Sequence, residues 1–151
     1  MIDPKSIMYD EGRRQALALQ EASAGMTGTE LNAADNKIPE FREAVKVKNM
    51  LNRKASQTDG FVCLSYAGRV VRLIQAYDSD VFPGEPEELP AQWRMVWSTD
   101  PAKAKPFLAS STSYYNKGDC CLNKAGQPVR STIDVNTFDP DVSPQFWENA
   151  V

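Results

Sequence analysis

The side chains of this chain that could do chemistry by type and spacing are carboxylates in two proline-bearing segments of its C-terminal half. They are Glu85, Glu87, Glu88, Asp134, Asp139 and Asp141. A pair of carboxylates can hydrolyse a glycosidic bond when one acts as general acid and the other as base or nucleophile. The flanking sequence is typical of surface loops, and nothing in it indicates a raised pKa for any of the six. We therefore interpret them as solvated loop charge.

No other motif of the sequence indicates catalysis or a bound cofactor. The three aspartates do not follow the order of a calcium-binding EF-hand loop. The chain has no histidine, which excludes Ser-His-Asp and Cys-His pairs. Adjacent Cys120 and Cys121 lack the spacing of a zinc site, and with Cys63 they make an odd number, which argues against a closed disulfide framework. The sequence predicts a protein with no enzyme activity, no metal and no cofactor.

The overall composition argues against two classes of partner. The net charge of −3 gives no basic footprint for nucleic acid. No apolar stretch approaches the ~20 residues that are needed to span a bilayer. The N-terminus lacks the basic start and the apolar run of a signal peptide. We therefore expect neither nucleic acid nor a membrane as a partner.

Residues 60–93 and 118–147 carry similar residues in the same order. Six pairs are 58 positions apart: Gly60/Gly118, Cys63/Cys121, Leu64/Leu122, Gly68/Gly126, Val71/Val129 and Arg72/Arg130. The offset shortens to 56 at Phe82/Phe138 and to 54 at Pro90/Pro144 and Trp93/Trp147. An offset that shortens in two steps is typical of a duplication with a shortened loop. The sequence therefore predicts two small, related modules side by side.

Each copy is predicted to contain three short antiparallel strands. Segments rich in β-branched residues flank a turn at Gly68 or Gly126 and predict a hairpin. Trp93 or Trp147 then lies on a closing strand, and we expect both tryptophans to be core residues. The predicted fold class is α+β, with a helical N-terminal arm (residues 1–58), a first β module (59–98), a linker (99–113) and a second β module (114–151).

The N-terminal arm begins with two predicted helices. Residues 1–9 show no regular pattern, and Asp10 is a suitable N-cap for a helix that ends near Ala24. Thr27 and Glu30 have the spacing of a capping box, which predicts a short second helix.

A third helix is predicted over residues 39–52. Its apolar positions recur at helical spacing and include Phe41, Val45 and Leu51. Two interpretations stay open. The helix packs on the first module, or it joins a bundle between copies of the chain, in which case these three side chains are assembly residues.

The second copy contains the residues that carry a family resemblance. They are Tyr115, Gly118, Asp119, Gly126, Val129, Arg130, Ser131, Asp134, Asn136, Phe138, Pro140, Pro144 and Trp147. The pattern resembles the small chitin-binding-type carbohydrate-binding modules of bacterial chitinases, families 5 and 12. Similar modules occur in phage and prophage structural proteins, often after a short helical N-terminus and sometimes in tandem. The resemblance implies a compact three-stranded module with an aromatic ledge on which sugar rings stack.

The resemblance also implies which side chains would bind a glycan. The candidates are Tyr114, Tyr115, Phe138, Tyr77 and Phe82. The family usually has an aromatic residue at the position of Val129 and a tryptophan at that of Phe138. Both differences reduce the area of exposed ring, and they fit a use of the fold as a scaffold.

The function implied by the resemblance is that of a non-enzymatic structural protein of a phage particle. It would be a capsid decoration protein, a fibre or a tail component that adheres to surface glycans. The alternative is a structural cementing component that binds no sugar, and a third interpretation is a detached module of a chitinase-like enzyme. Expected partners are other virion proteins, copies of the chain in a homo-oligomer such as a trimer, and a cell-surface polysaccharide. The protein would be made in the host cytoplasm and reside in the virion.

Overall fold

The computed structural model describes residues 4–47 and 49–150. In this part of the chain three helices precede a three-stranded sheet and a four-stranded sheet. The predicted α+β class, with a helical N-terminal segment followed by small sheets, is confirmed. None of the described helices is long and apolar enough to cross a membrane.

Helix α1 covers Pro4–Ala22 and is followed by a 3-10 turn over Ser23–Gly25. It begins earlier than the sequence predicted, because proline suits the first position of a helix, where its missing N–H costs nothing. Asp10 therefore lies inside α1, and its prediction as the N-cap is wrong. Of the segment predicted to be irregular, residues 1–3 lie outside the described residues.

Helix α2 (Gly28–Ala33) begins at the predicted capping box. The backbone N–H of Glu30 donates to Thr27 Oγ1, and that of Thr27 donates to Glu30 Oε1, both over 3.1 Å. Two N–H groups that the first helical turn leaves without partners are satisfied in this way. The capping-box prediction is confirmed.

Helix α3 (Phe41–Val47) is shorter than the predicted helix over residues 39–52. Lys48 lies outside the described residues, and a 3-10 turn follows Asn49. The side chain of Asn49 accepts a hydrogen bond of 2.9 Å from the backbone N–H of Leu51. Such local bonds compete with the helical hydrogen-bond ladder, which explains why the regular helix does not continue.

Seven short strands form the two sheets. The first sheet has the order β1 (Val62–Leu64), β2 (Val70–Leu73), β3 (Trp93–Met95), and both of its pairings are antiparallel. The second has the order β4 (Lys105–Pro106), β5 (Cys120–Leu122), β6 (Pro128–Ser131), β7 (Trp147–Asn149), with only β4 parallel to its neighbour.

Equivalent residues of the two copies have equivalent partners in the two sheets. Cys63 lies opposite Val71, as Cys121 lies opposite Val129. Trp93 lies opposite Leu73, as Trp147 lies opposite Ser131. Gly68 and Gly126 adopt φ angles of 84° and 78°, a region that suits glycine because it has no Cβ. The register confirms the alignment of the two copies that the sequence offsets predicted.

The segment predicted as a linker, residues 99–113, contributes a strand to the second sheet. Strand β4 pairs with β5, and Phe107 N donates to Leu122 O over 3.0 Å. The second module therefore has four strands rather than three. A two-residue strand that contains Pro106 has too little pattern to be found from sequence.

The N-terminal arm is part of the first module's core. Phe41 and Met50 are buried, and the ring of Phe41 meets that of Trp93 edge-on at 5.6 Å. Val45 packs against the same core, whereas Leu51 is 56% exposed. Of the three predicted assembly residues, Phe41 is therefore a core residue, because the sheet needs a hydrophobic cover on this face.

A second hydrophobic cluster lies between the arm and the first sheet. It contains Leu19 of α1, Leu31 of α2 and Ile38, packed with Val62 and Val70. All four residues of the central strand β2 are buried. The first sheet is consequently covered by segments of the N-terminal arm, and the arm and module share their hydrophobic cores.

The two modules are joined by aromatic stacking and hydrogen bonds. Trp97, which follows β3, stacks on Tyr115 of the second module with ring centroids 4.3 Å apart. Ser113 binds the first module twice, with its hydroxyl accepting from Met95 N over 2.9 Å and its carbonyl accepting from Trp97 Nε1 over 2.8 Å. These contacts fix the second sheet against the end of the first.

Candidate functional site

A groove of about 1130 Å³ lies on the first module, between helix α3 and the loop of residues 79–88. Residues 40–46 form one wall, the loop forms the other, and residues 64–66 after strand β1 lie between them. The groove is large enough for a ligand of several rings, since small-molecule sites commonly measure roughly 300–1,000 Å³.

Two exposed aromatic side chains line this groove. Tyr66 is 74% exposed and Phe82 is 49% exposed. The Arg42 guanidinium lies 3.9 Å from the centroid of the Tyr66 ring, within the range of a cation–π contact. Exposed aromatic rings in a concave surface offer a ligand flat, apolar faces together with polar neighbours.

Glu85 organises the centre of the groove. Its Oε1 accepts a hydrogen bond of 2.8 Å from Tyr66 N, and its Oε2 lies 3.7 Å from Arg42 Nε. One carboxylate therefore holds the backbone of the aromatic residue and also the cation that lies over its ring. The backbone of Tyr66 is thus held by a contact within the protein.

The loop wall is held by further side chain–backbone hydrogen bonds. Glu85 N donates to Glu88 Oε1, and Asp80 N donates to Asp78 Oδ1, both over 2.9 Å. Asn49 donates to the same Asp78 oxygen over 2.9 Å and, by this hydrogen bond, lowers the pKa of that carboxyl. Gly84 has a φ of 137°, which only glycine adopts readily. The loop is preformed by these local contacts.

Of the glycan candidates in the first module, only Phe82 lies in the groove. Tyr77 is 4% exposed, and its hydroxyl accepts a hydrogen bond of 3.0 Å from Trp93 Nε1. Burial also raises the pKa of Tyr77. Its prediction as a sugar-stacking residue is wrong, because the core of the first sheet covers its ring.

Tyr115 in the second module is likewise a core residue. It is completely buried between Trp97, Phe107 and Trp147, with the edge-on Trp147 ring at 5.3 Å. Its hydroxyl accepts from Leu108 N over 3.2 Å, and burial raises its pKa well above the ordinary value. Tyr115 has no face on which a sugar could stack, so that prediction is also wrong.

Two candidates of the second module keep some exposure. Tyr114 is half-buried, and Phe138 is 42% exposed. Phe138 stacks on Phe146 with ring centroids 4.3 Å apart, and its carbonyl accepts from Trp147 Nε1 over 2.9 Å. Both closing-strand tryptophans, Trp93 and Trp147, are buried. Phe138 lies far along the chain from the groove and forms no part of its lining.

Two residues of the groove, Tyr66 and Arg42, were not predicted from the sequence. Tyr66 lies just before the turn glycine of the first hairpin. A large aromatic residue in a turn is the one feature of the sequence that could have indicated an exposed ring there. Arg42 lies on the polar side of α3, and its proximity to Tyr66 depends on how the arm packs on the sheet. No local sequence pattern predicts that the two residues lie close together.

The six acidic residues considered for catalysis all accept hydrogen bonds that shape loops or join segments. Glu85 and Glu88 act in the groove as described, and Glu87 pairs with Arg69 over 3.0 Å. Asp134, Asp139 and Asp141 accept from the backbone N–H groups of Lys117, Asp141 and Lys124. Among the described residues no group of acidic and cysteine side chains is arranged to hold a metal ion.

The three cysteines are free and buried. Burial raises the pKa of each thiol, strongly for Cys63 and to about 12 for Cys121. A thiol with a raised pKa is a poor nucleophile, because the thiolate is the reactive form. The cysteines therefore contribute small apolar side chains to the cores.

Comparison of the chain with protein-family models gives no match. Comparisons with curated proteins and with solved structures give no match either.

Proposed function

We propose that this chain is a non-enzymatic structural protein of a phage particle whose first module binds a surface polysaccharide in the groove. The observation that carries the proposal is the pair of exposed rings, Tyr66 and Phe82, in a preformed groove. The resemblance of residues 114–151 to carbohydrate-binding modules of phage structural proteins supports the location on a virion.

The groove suits a sugar polymer in two respects. The C–H faces of pyranose rings are apolar and stack on aromatic side chains, so that Tyr66 and Phe82 would each support one ring. Carboxylates such as Asp80 on the loop wall would accept hydrogen bonds from sugar hydroxyls. Because the groove is open, it would admit an internal segment of a long chain.

The test is retention of the protein on immobilised polysaccharides. Tyr66→Ala and Phe82→Ala are each expected to weaken binding about tenfold, the equivalent of ~1.4 kcal/mol for a lost aromatic contact. The fold is expected to persist, because both side chains are largely exposed. Leu17→Ala is the control, since it removes a large exposed apolar side chain outside the groove. Equal retention of all four proteins would contradict the proposal.

A second candidate function is structural cementing without sugar binding. It is favoured by the burial of Tyr77 and Tyr115 and by exposed apolar side chains on the second module. Val135 is 58% exposed and Val142 75% exposed, and Val135 has a φ of 50°, which β-branched residues rarely adopt. Exposed apolar side chains of this kind suit a contact with another virion protein. If this function is correct, Val142→Ser blocks incorporation into particles and Tyr66→Ala does not.

Both candidate functions include assembly of the chain with copies of itself. Leu51 is the most exposed of the predicted assembly residues, and Val47 nearby is 82% exposed. We expect a homo-oligomer, such as a trimer, that Leu51→Glu converts to monomers. Light scattering measures the mass of both proteins, and a monomeric parent protein would rule out self-assembly through the arm.

A further inference from the structure

The groove carries more negative than positive charge. Five carboxylates line it, from Glu40, Glu43, Asp80, Glu85 and Glu88, against the two cations of Arg42 and Lys46. Both cations are already paired, Arg42 with Glu85 over 3.7 Å and Lys46 with Glu43 over 3.5 Å. Among the described residues, the other three carboxylates have no ion-pair partner.

The uncompensated carboxylates lie on both walls. Glu40 immediately precedes α3 on one wall, and Asp80 and Glu88 belong to the loop wall. All three side chains are exposed. A cleft with one dominant sign of charge attracts ligands of the opposite sign and repels those of the same sign. An acidic polysaccharide would therefore be disfavoured in this groove.

We propose that the ligand of the groove is a polysaccharide with free amino groups, which are protonated and positively charged. This inference rests on the proposed function and names the class of sugar. A protonated amine interacts favourably with this lining in two ways. First, it forms charge-assisted hydrogen bonds with Glu40 and Asp80. Second, it is attracted to the exposed ring of Phe82 by cation–π interaction, whereas Arg42 already covers one face of Tyr66. A polymer with one amine on each ring presents a cation to both walls.

The backbone around the groove favours a sugar over a basic peptide. A peptide commonly binds by adding a strand to a free sheet edge. Beside the groove that edge is occupied, since Leu64 N donates to Pro39 O over 2.8 Å. Tyr66 N is likewise bonded to Glu85. A peptide would find no strand to pair with at these positions, whereas a sugar chain needs only ring faces and polar side chains.

The experiment compares three oligosaccharides of equal length by isothermal titration calorimetry at mildly acidic pH. They are a glucosamine hexamer, an N-acetylglucosamine hexamer and a uronic acid hexamer. The glucosamine hexamer is expected to bind at least about tenfold more tightly than the neutral one. This advantage should shrink as salt is added, because exposed charges are screened. The uronic acid hexamer should bind most weakly.

Variants of the full chain separate charge from aromatic stacking. The double variant Glu40→Gln/Asp80→Asn is expected to abolish the preference for the glucosamine hexamer, while Tyr66→Ala weakens binding of both the amino and the neutral hexamer. Glu21→Gln is the matched control, because it neutralises an exposed carboxylate of α1 outside the groove. It should leave all affinities unchanged.

Each result decides between the two proposals. Equal affinity for the amino and neutral hexamers overturns the charge inference and leaves adhesion intact. No binding of any hexamer overturns sugar binding in this groove together with the inference. An oligolysine of equal charge that binds as tightly as the glucosamine hexamer overturns the choice of sugar over peptide.

Discussion

The side-chain amide of Gln20 hydrogen-bonds both backbone groups of Val62. Gln20 Nε2 donates to Val62 O over 2.7 Å, and Val62 N donates to Gln20 Oε1 over 2.9 Å. Val62 lies on β1, an edge of the first sheet. An uncovered edge strand invites pairing with other chains. Here one amide of α1 replaces a neighbouring strand, which ties the N-terminal arm to the sheet.

Gln20→Ala is expected to lower the free energy of unfolding by about 2 kcal/mol. Val62 is completely buried, and a buried polar group without a partner costs ~1–3 kcal/mol. Urea unfolding followed by circular dichroism measures the effect. Gln15→Ala, on the exposed side of the same helix, is the control and should change stability little. Equal stability of the two variants would mean that the Gln20 amide does not stabilise the edge.

The fold could be predicted from sequence where the signal is local or repeated. The offsets between the two copies predicted the paired register of Cys63/Cys121, because glycines and tryptophans mark equivalent turns and closing strands. The contact of Gln20 with Val62 could not be predicted. It joins residues 42 positions apart through one side chain, and no periodicity records such a contact.

The candidate site was predicted less well than the fold. Tyr115 belongs to the aromatic pattern of the second copy, but Trp97 from the first module covers its ring. Its burial is therefore a property of how the two modules pack together. Tyr66 was missed for the complementary reason, since its groove forms only when α3 of the arm lies beside the loop of residues 79–88.

The role of the arm as a core segment predicts unequal effects of two alanine variants. Phe41→Ala should cost about 3–5 kcal/mol of unfolding free energy, since a buried aromatic side chain leaves a cavity. Leu51→Ala should cost under ~0.5 kcal/mol in the monomer, because the side chain is largely exposed. Chemical denaturation of dilute protein gives both values. Similar small costs for both variants would mean that the arm does not share the core of the first module.

A largely buried ion pair joins the first hairpin to the loop between β2 and β3, and its arginine also donates a hydrogen bond to strand β4 of the second sheet. Arg69 Nη1 lies 3.0 Å from Glu87 Oε2, and Arg69 Nη2 donates to Pro106 O over 2.8 Å. Arg69 Nε and Glu87 Oε1 are buried without a hydrogen-bond partner. The pair is incompletely satisfied, so that a matched apolar replacement should be tolerated better than the loss of one partner.

Arg69→Met or Glu87→Leu alone is expected to cost about 3–5 kcal/mol, because each leaves an unpaired buried charge. The double variant should cost less than either single variant. The exposed pair of Glu43 and Lys46 is the control, and its removal should cost under ~1 kcal/mol. A double-mutant cycle, with each free energy of unfolding measured in urea, gives these costs and the coupling energy of the pair. Additive costs for Arg69 and Glu87 would show that the two charges are not coupled.

Asp119 and Asp78 are expected to affect the pH dependence of stability in opposite directions. Burial, and to a lesser extent the charge of Asp134, raise the pKa of Asp119. The native state therefore holds the Asp119 proton more tightly than the unfolded state does. Stability falls as the pH rises from the ordinary pKa of a carboxyl group through the higher pKa that Asp119 has in the folded state. Asp119→Asn should thus stabilise the protein at neutral pH and have little effect in acid.

For Asp78 the sign is reversed, because the hydrogen bond from Asn49 lowers its pKa in the folded state. Its contribution is complete above the ordinary carboxyl pKa and is lost as pH falls through the folded value. Asp78→Asn should therefore lower stability at neutral pH and converge with the parent protein in acid. Thermal unfolding of the parent and both variants between acidic and neutral pH tests this. If the melting temperatures of the three proteins change with pH in parallel, neither carboxyl changes its pKa on folding.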